Sequence, residues 1–288
     1  MPATLVSTMG TPKPYITVQE LKRNPVYNQL KNLVPNSSDA DRDAELARLI
    51  MRASSMANGE TNQNLVASVD TEIGQVVVSD WGDLRIHTRS TPITSVQAIS
   101  VGPDPVNLVP LSATTLSTLV LDPWRITVPR TYTNSALNLP SVSWTPGSRM
   151  WAQWTYVSGW PITTLTAASA IGATSLTVED TTGIVANQTL LTVQDGKWLE
   201  QFIPTAVTGN TLTVPAMAYA HTVGTGVTNL PDDIKEAIFL LLGRIHDTWS
   251  LTMNVISTDG TGSKKPAPGP ARKLCDAGEM LRPYRRTW

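Results

Sequence analysis

The chain has 288 residues, 41% of them hydrophobic and 16% charged, with a formal net charge of -1. That length allows one large domain or two modest ones with real cores, and the near-neutral charge excludes a global basic field that would draw in nucleic acid or an anionic membrane. One cysteine, Cys275, excludes an intrachain disulfide framework and any cysteine-based zinc site.

The opening Met1-Pro-Ala-Thr-Leu-Val has no basic segment followed by a long apolar stretch, so a signal peptide is not expected. Residues 17–65 read as helical. Ser38 suits a helix cap, with Asp39, Asp41 and Asp43 near the positive N-terminal end. Behind them Leu46, Leu49, Ile50, Ala53, Met56 and Ala57 recur at helical spacing, and Gly59 is expected to end the helix. From about residue 73 to 157 the period changes to two. Gln75-Val-Val-Val, Leu84-Arg-Ile-His-Thr, Ser95-Val-Gln-Ala-Ile-Ser-Val, Ile126-Thr-Val and Met150-Trp-Ala-Gln-Trp-Thr-Tyr-Val predict strands.

Residues 161–229 form a third region of short strands: Ser175-Leu-Thr-Val, Thr189-Leu-Leu-Thr-Val, residues 198–207 and Thr211-Leu-Thr-Val. Asp195-Gly196 and Gly209-Asn210 occupy tight-turn positions between them. Pro231 then opens a helix whose Ile234, Ala237, Ile238, Leu241, Leu242, Ile245, Trp249 and Met253 line one face, widened by Phe239 and Leu240. The longest apolar run, at residues 237–242, is far short of a membrane span. A soluble product made in the cytoplasm is the expectation.

After Ser257 comes a Gly/Pro-rich linker, Asp259-Gly-Thr-Gly-Ser-Lys-Lys-Pro-Ala-Pro-Gly-Pro. From Lys264 to the C-terminus the balance is roughly +5, leaving about -6 for the rest of the chain. This end mixes Arg272, Lys273, Arg282, Arg285 and Arg286 with Leu274, Met280, Leu281, Tyr284 and Trp288. It reads as a solvated tail, a nucleic-acid contact or a segment that docks into a partner protein. Docking is preferred, because apolar anchors and arginines occur together.

No catalytic motif accompanies these elements. His87, His221 and His246 lie far apart with no metal-binding spacing. Nucleophile-elbow, Walker and Rossmann glycine patterns are all missing, and Gly224-Thr-Gly226 is a bare G-x-G that reads as a turn or strand end. The acid pairs Glu179-Asp180 and Asp232-Asp233 sit at a strand end and a helix start. No enzyme activity and no cofactor are expected. Trp151 and Trp154 lie three apart on one strand, so they face opposite sides of the sheet. One is expected in the core and the other at a subunit interface.

The order of these parts resembles the head-tail connector (adaptor) proteins of tailed bacteriophages. The resemblance rests on Thr17-Val-Gln-Glu-Leu-Lys, then Asp43-Ala-Glu-Leu-Ala-Arg-Leu-Ile-Met-Arg-Ala, then Gly82-Asp-Leu-Arg-Ile and Thr91-Pro-Ile-Thr-Ser-Val-Gln-Ala-Ile. It continues through Leu230-Pro-Asp-Asp-Ile-Lys-Glu-Ala-Ile to Leu281-Arg-Pro-Tyr-Arg-Arg. It implies a virion protein forming a ring, usually dodecameric, beneath the portal of the DNA-filled head. Such a ring extends the DNA channel toward the next connector, stopper or tail protein, with DNA passing transiently through its lumen and no membrane contact. In that setting Leu281, Arg282, Tyr284, Arg285, Arg286 and Trp288 are the expected portal contacts.

The expected fold is α+β, a helical core with an antiparallel sheet plus an inserted small all-β barrel or sandwich module. Residues 1–160 and 229–257 would form the discontinuous connector core, 161–228 the β module, and 258–288 the flexible linker and docking segment. The competing expectation is a β-rich carbohydrate-binding or tail-tip protein for host recognition.

Overall fold

The period-two segments form an antiparallel sheet in the computed structural model, which describes residues 4–9, 13–30, 38–129, 147, 149–253 and 270–286. In chain order the elements begin with β1 (Thr4–Met9) and the helices α1 (Val18–Arg23), α2 (Tyr27–Leu30) and α3 (Asp39–Thr61). Next come β2 (Ser68–Val78), β3 (Leu84–His87), β4 (Ile93–Gly102), β5 (Val109–Pro110) and α4 (Ala113–Leu116). The strands β6 (Val120–Asp122), β7 (Arg125–Val128), β8 (Arg149–Ser158) and β9 (Ile162–Thr164) follow. The last part holds β10 (Ser175–Thr177), β11 (Leu191–Asp195), β12 (Trp198–Phe202), β13 (Ala206–Thr208), β14 (Thr211–Thr213) and β15 (Gly226–Thr228). Two helices close it, α5 (Asp232–Met253) and α6 (Pro270–Leu281).

These elements divide between two units. The first is Met1–Thr11, Asn64–Pro161 and Thr181–Val185. Its sheet has the order β5-β4-β8-β2-β3-β7-β6, with β1 also paired to β2. The long pair β2–β8 runs in unbroken register from Ser68 opposite Ser158 to Val77 opposite Arg149. Alternate side chains from these strands fill one face, where Val76, Val78, Leu84, Ile86, Ile126, Met150 and Trp154 are buried together. The sheet curls, because the carbonyls of Pro123 and Trp124, between β6 and β7, accept from the N–H groups of Ile93 and Thr88.

Two acids occupy the buried side of β2. Asp70 accepts from Ser68 and Ser158 hydroxyls at 3.4 and 3.1 Å. Glu72 accepts from the Tyr156 hydroxyl and, at 2.9 Å, from the Arg89 N–H. Burial first, and then the Glu72 charge, push the Tyr156 phenol well above its usual range. The carboxylates are tolerated here because both Asp70 oxygens and Glu72 Oε1 have donors.

The second unit is Pro12–Gln63, Ile162–Asp180 and Ala186–Trp288, so the helices α3 and α5 share it with strands of the expected β module. Thr17 and Glu20 make a reciprocal capping box at α1. Ser38 caps α3 by accepting from the Asp41 N–H at 3.1 Å. The helix does not stop at Gly59. It runs two residues further to Thr61 and ends on Asn62, whose φ of 56° is left-handed. Asparagine tolerates that conformation better than most residues and so terminates the helix. α5 buries Ile234, Ala237, Ile238, Leu241, Leu242 and Ile245 as its spacing predicts, whereas Phe239 and Leu240 are only half-buried. The side chains of Trp249 and Met253 lie outside the described residues.

The β strands of this unit make two small sheets, β10-β14-β13 and β12-β11-β15-β9. The single strand expected over 198–207 is two, β12 and β13. Pro204, which has no N–H for a ladder, lies in the break between them. Gly196 (φ 63°) and Gly209 (φ 55°) make the turns that reverse the chain between β11 and β12 and between β13 and β14. No helix among the described residues is long and apolar enough to cross a membrane.

Candidate interaction surfaces

The C-terminal residues expected to contact a portal do not form a free tail over 270–286. Ala277 and Leu281 on α6 are buried, Leu281 to 1% exposure, and α6 packs beside α5. Beyond α6 a 3-10 turn covers Arg282–Tyr284. The Tyr284 hydroxyl donates to Asp233 at 2.8 Å, and its carbonyl accepts from Gln63 Nε2 at 3.0 Å. Partial burial, followed by the Asp233 carboxylate, raises the Tyr284 phenol above its ordinary value. The Arg286 N–H donates to the Thr61 carbonyl at 3.0 Å.

Leu281 and Tyr284 are therefore engaged within the unit, while Arg282 and Arg285 are exposed. Apolar residues spaced for a helix fold back onto a neighbouring helix when one is at hand. Residues 258–269 and Trp288 lie outside the described residues.

The exposed arginines border a groove of about 810 Å³. Glu60 and Asn62, at the C-terminal end of α3, form one wall. Cys275, Gly278 and Glu279, spaced along one face of α6, form another. Arg286 completes the lining and is half-buried. Cys275 is exposed there.

The tryptophan pair on β8 divides as alternation requires. Trp154 is buried in the sheet core, and Trp151 is half-buried on the opposite face. The sequence pattern left unseen the apolar edges of the two larger sheets. On β6, an end strand, Val120 and Leu121 are 53% and 39% exposed. On β12, also an end strand, Trp198 and Leu199 are 41% and 53% exposed. Neighbours along a strand point to opposite faces, so each edge is apolar on both sides. The Trp198 ring stacks on Tyr219 with centroids 4.3 Å apart, and the Lys197 ammonium lies 4.6 Å from its centroid.

The three histidines stay apart. His221 is buried and donates from Nε2 to Glu200 at 2.9 Å, His246 lies 3.5 Å from Asp247, and His87 is exposed. Of the acid pairs, Asp180 binds Lys13 at 2.7 Å and Asp233 holds Tyr284. Among the described residues no group of three or more His, Cys, Asp or Glu is arranged to hold a metal ion.

No family model matches the sequence, and neither does any curated protein. Solved structures similar to it include two from gene transfer agent particles. One is a chain from the neck of an empty gene transfer agent (GTA) particle computed with C6 symmetry. It is 15% identical, with a TM-score of 0.38 and coverage of 100% of this chain and 97% of that one. The other comes from the virion of a native GTA particle, at 16% identity and a TM-score of 0.35, with the same coverage.

Proposed function

We propose that the chain is a non-enzymatic structural subunit of a phage-type head-tail connector. It assembles as an adaptor ring that docks beneath the portal and extends the DNA channel toward the next connector or tail protein. The observation that carries this reading is the pair of apolar strand edges, β6 in one unit and β12 in the other. Monomeric proteins shield end strands with charge, proline, bulges or a covering element, since a bare edge recruits other chains. Edges that are apolar on both faces suit a subunit whose neighbours cover them.

Two further features support the reading. The order of helix, sheet and late helix resembles the connector family. A net charge of -1 suits a lumen through which DNA slides without a tight grip. Light scattering of the chain with and without purified portal tests the proposal. A stoichiometric ring on the portal is expected, and a chain indifferent to the portal would overturn it.

The competing reading is carbohydrate binding at a tail tip, favoured by the exposed Trp198–Tyr219 stack. Glycan-dependent quenching of tryptophan fluorescence is its test. The indole is already engaged by Tyr219 and Lys197, which leaves less of it for a sugar.

A further inference from the structure

The geometry points to the groove between the end of α3 and α6 as a receptor for an acidic segment of a partner protein, resting on the connector reading for the partner's identity as the portal. Among the described residues the guanidinium groups of Arg282 and Arg285 have no ion-pair or hydrogen-bond partner, and both are exposed at its border. Guanidinium forks match carboxylates in geometry and bind them in pairs.

The α6 wall of the groove is open at Gly278. Gly278 lies inside α6, where glycine is the least favourable residue apart from proline. A Cβ built there meets nothing within 4 Å. No close approach within the unit requires this glycine, and its missing side chain keeps the groove open. A volume of about 810 Å³ sits high in the roughly 300–1,000 Å³ range of ligand sites, enough for several residues of an extended chain.

Charge selects the class of occupant. Glu60 and Glu279 stand among the three arginines, so the positive field is broken into separate points. A peptide can place isolated carboxylates on those points. A nucleic-acid backbone, with a charge at every phosphate, would also meet the two glutamates.

Cys275, the chain's one cysteine, reports occupancy, because an occupied groove shields its exposed thiol from a maleimide. The probes, used with the full chain, are a hexapeptide carrying two glutamates spaced by glycines, and hexathymidylate. At four times its dissociation constant the spaced-glutamate peptide is expected to slow labelling about fivefold by mass action, while hexathymidylate has no effect. Gly278→Phe fills the groove without altering charge and is expected to lose this protection and portal co-sedimentation together. Gly278→Ala is the folding control and keeps both. The exposed pair Arg282→Glu and Arg285→Glu is a second route to the same loss.

Absence of protection by the peptide, or equal protection by the oligonucleotide, overturns the groove as an acidic-peptide site. Unchanged portal binding by Gly278→Phe overturns the portal as the source of the segment. Failure of the unaltered chain to co-sediment with portal overturns the connector reading instead, and peptide protection of Cys275 then still decides the groove.

Discussion

Two carboxylates pin the segment before β15 to the β11–β12 hairpin. Asp195 accepts from the Thr222 N–H and hydroxyl at 2.7 and 2.8 Å, from the Thr225 hydroxyl at 3.2 Å, and pairs with Arg23. Glu200 accepts from the N–H groups of Ala218 and Tyr219 and from the His221 ring. Burial works to raise both pKa values. For Glu200 the Ala218 N–H and His221 outweigh it, and for Asp195 the Thr222 donors do, so both carboxyls fall below their usual values. A depressed carboxylate stabilises the fold above its unfolded value, about 4.3 for Glu, and that stability is lost as pH falls through the folded value. Urea midpoints of the unaltered chain are therefore expected to fall once pH drops below about 4.3. Glu200→Gln puts an amide against N–H donors, so it is expected to cost about 1–3 kcal/mol at pH 7 and to flatten the acid limb. An acid limb of unchanged slope would show that Glu200 does not hold the segment.

At the scale of elements, Leu281 separates a folded α6 from a docking tail. If α6 belongs to the core of its unit, Leu281→Ala is expected to lower unfolding free energy by about 2–5 kcal/mol in the chain alone. Tyr284→Phe removes one hydroxyl and is expected to cost no more than about 1 kcal/mol. A Leu281→Ala chain with unaltered stability and weakened portal binding would restore the tail.

The long helices were legible because their apolar residues repeat at 3.6. Leu46, Leu49, Ile50, Ala53 and Ala57 are buried on α3 as that spacing demands. The start of β2 was not, because its alternation is inverted. Ser68, Asp70 and Glu72 face inward and are satisfied by Ser158 and Tyr156, whereas Val69 and Ile73 are only half-buried. Apolar patterning cannot reveal a face that is buried polar. β1 escaped notice because a short end strand takes its place from pairing with β2 more than from its own residues. The groove was hidden for another reason. Arg282 and Arg285 were visible as charge, but their neighbours Glu60 and Asn62 come from the far end of the sequence and are supplied by folding.

At the scale of the whole molecule, the two apolar edges make a prediction about association that is independent of the portal. An end strand stacks its unpaired N–H and C=O groups in a row, and the exposed apolar pairs Val120–Leu121 and Trp198–Leu199, beside the single acids Asp122 and Glu200, lower the barrier to a second chain. Lysine on such a strand is the common natural remedy, since its charge cannot be buried by an incoming neighbour without loss of hydration. Leu121 on β6 and Leu199 on β12 are both exposed, so Leu121→Lys and Leu199→Lys are expected to change the unfolding free energy by less than about 0.5 kcal/mol. If the edges carry subunit contacts, the double variant stays monomeric in light scattering at concentrations where the unaltered chain associates, and it fails to form rings on portal. Each single variant then reports which unit supplies the contact. A double variant that assembles as well as the unaltered chain would mean the edges are simply exposed, and the ring contact would have to lie on another face, such as the side of the β8 sheet that carries the half-buried Trp151.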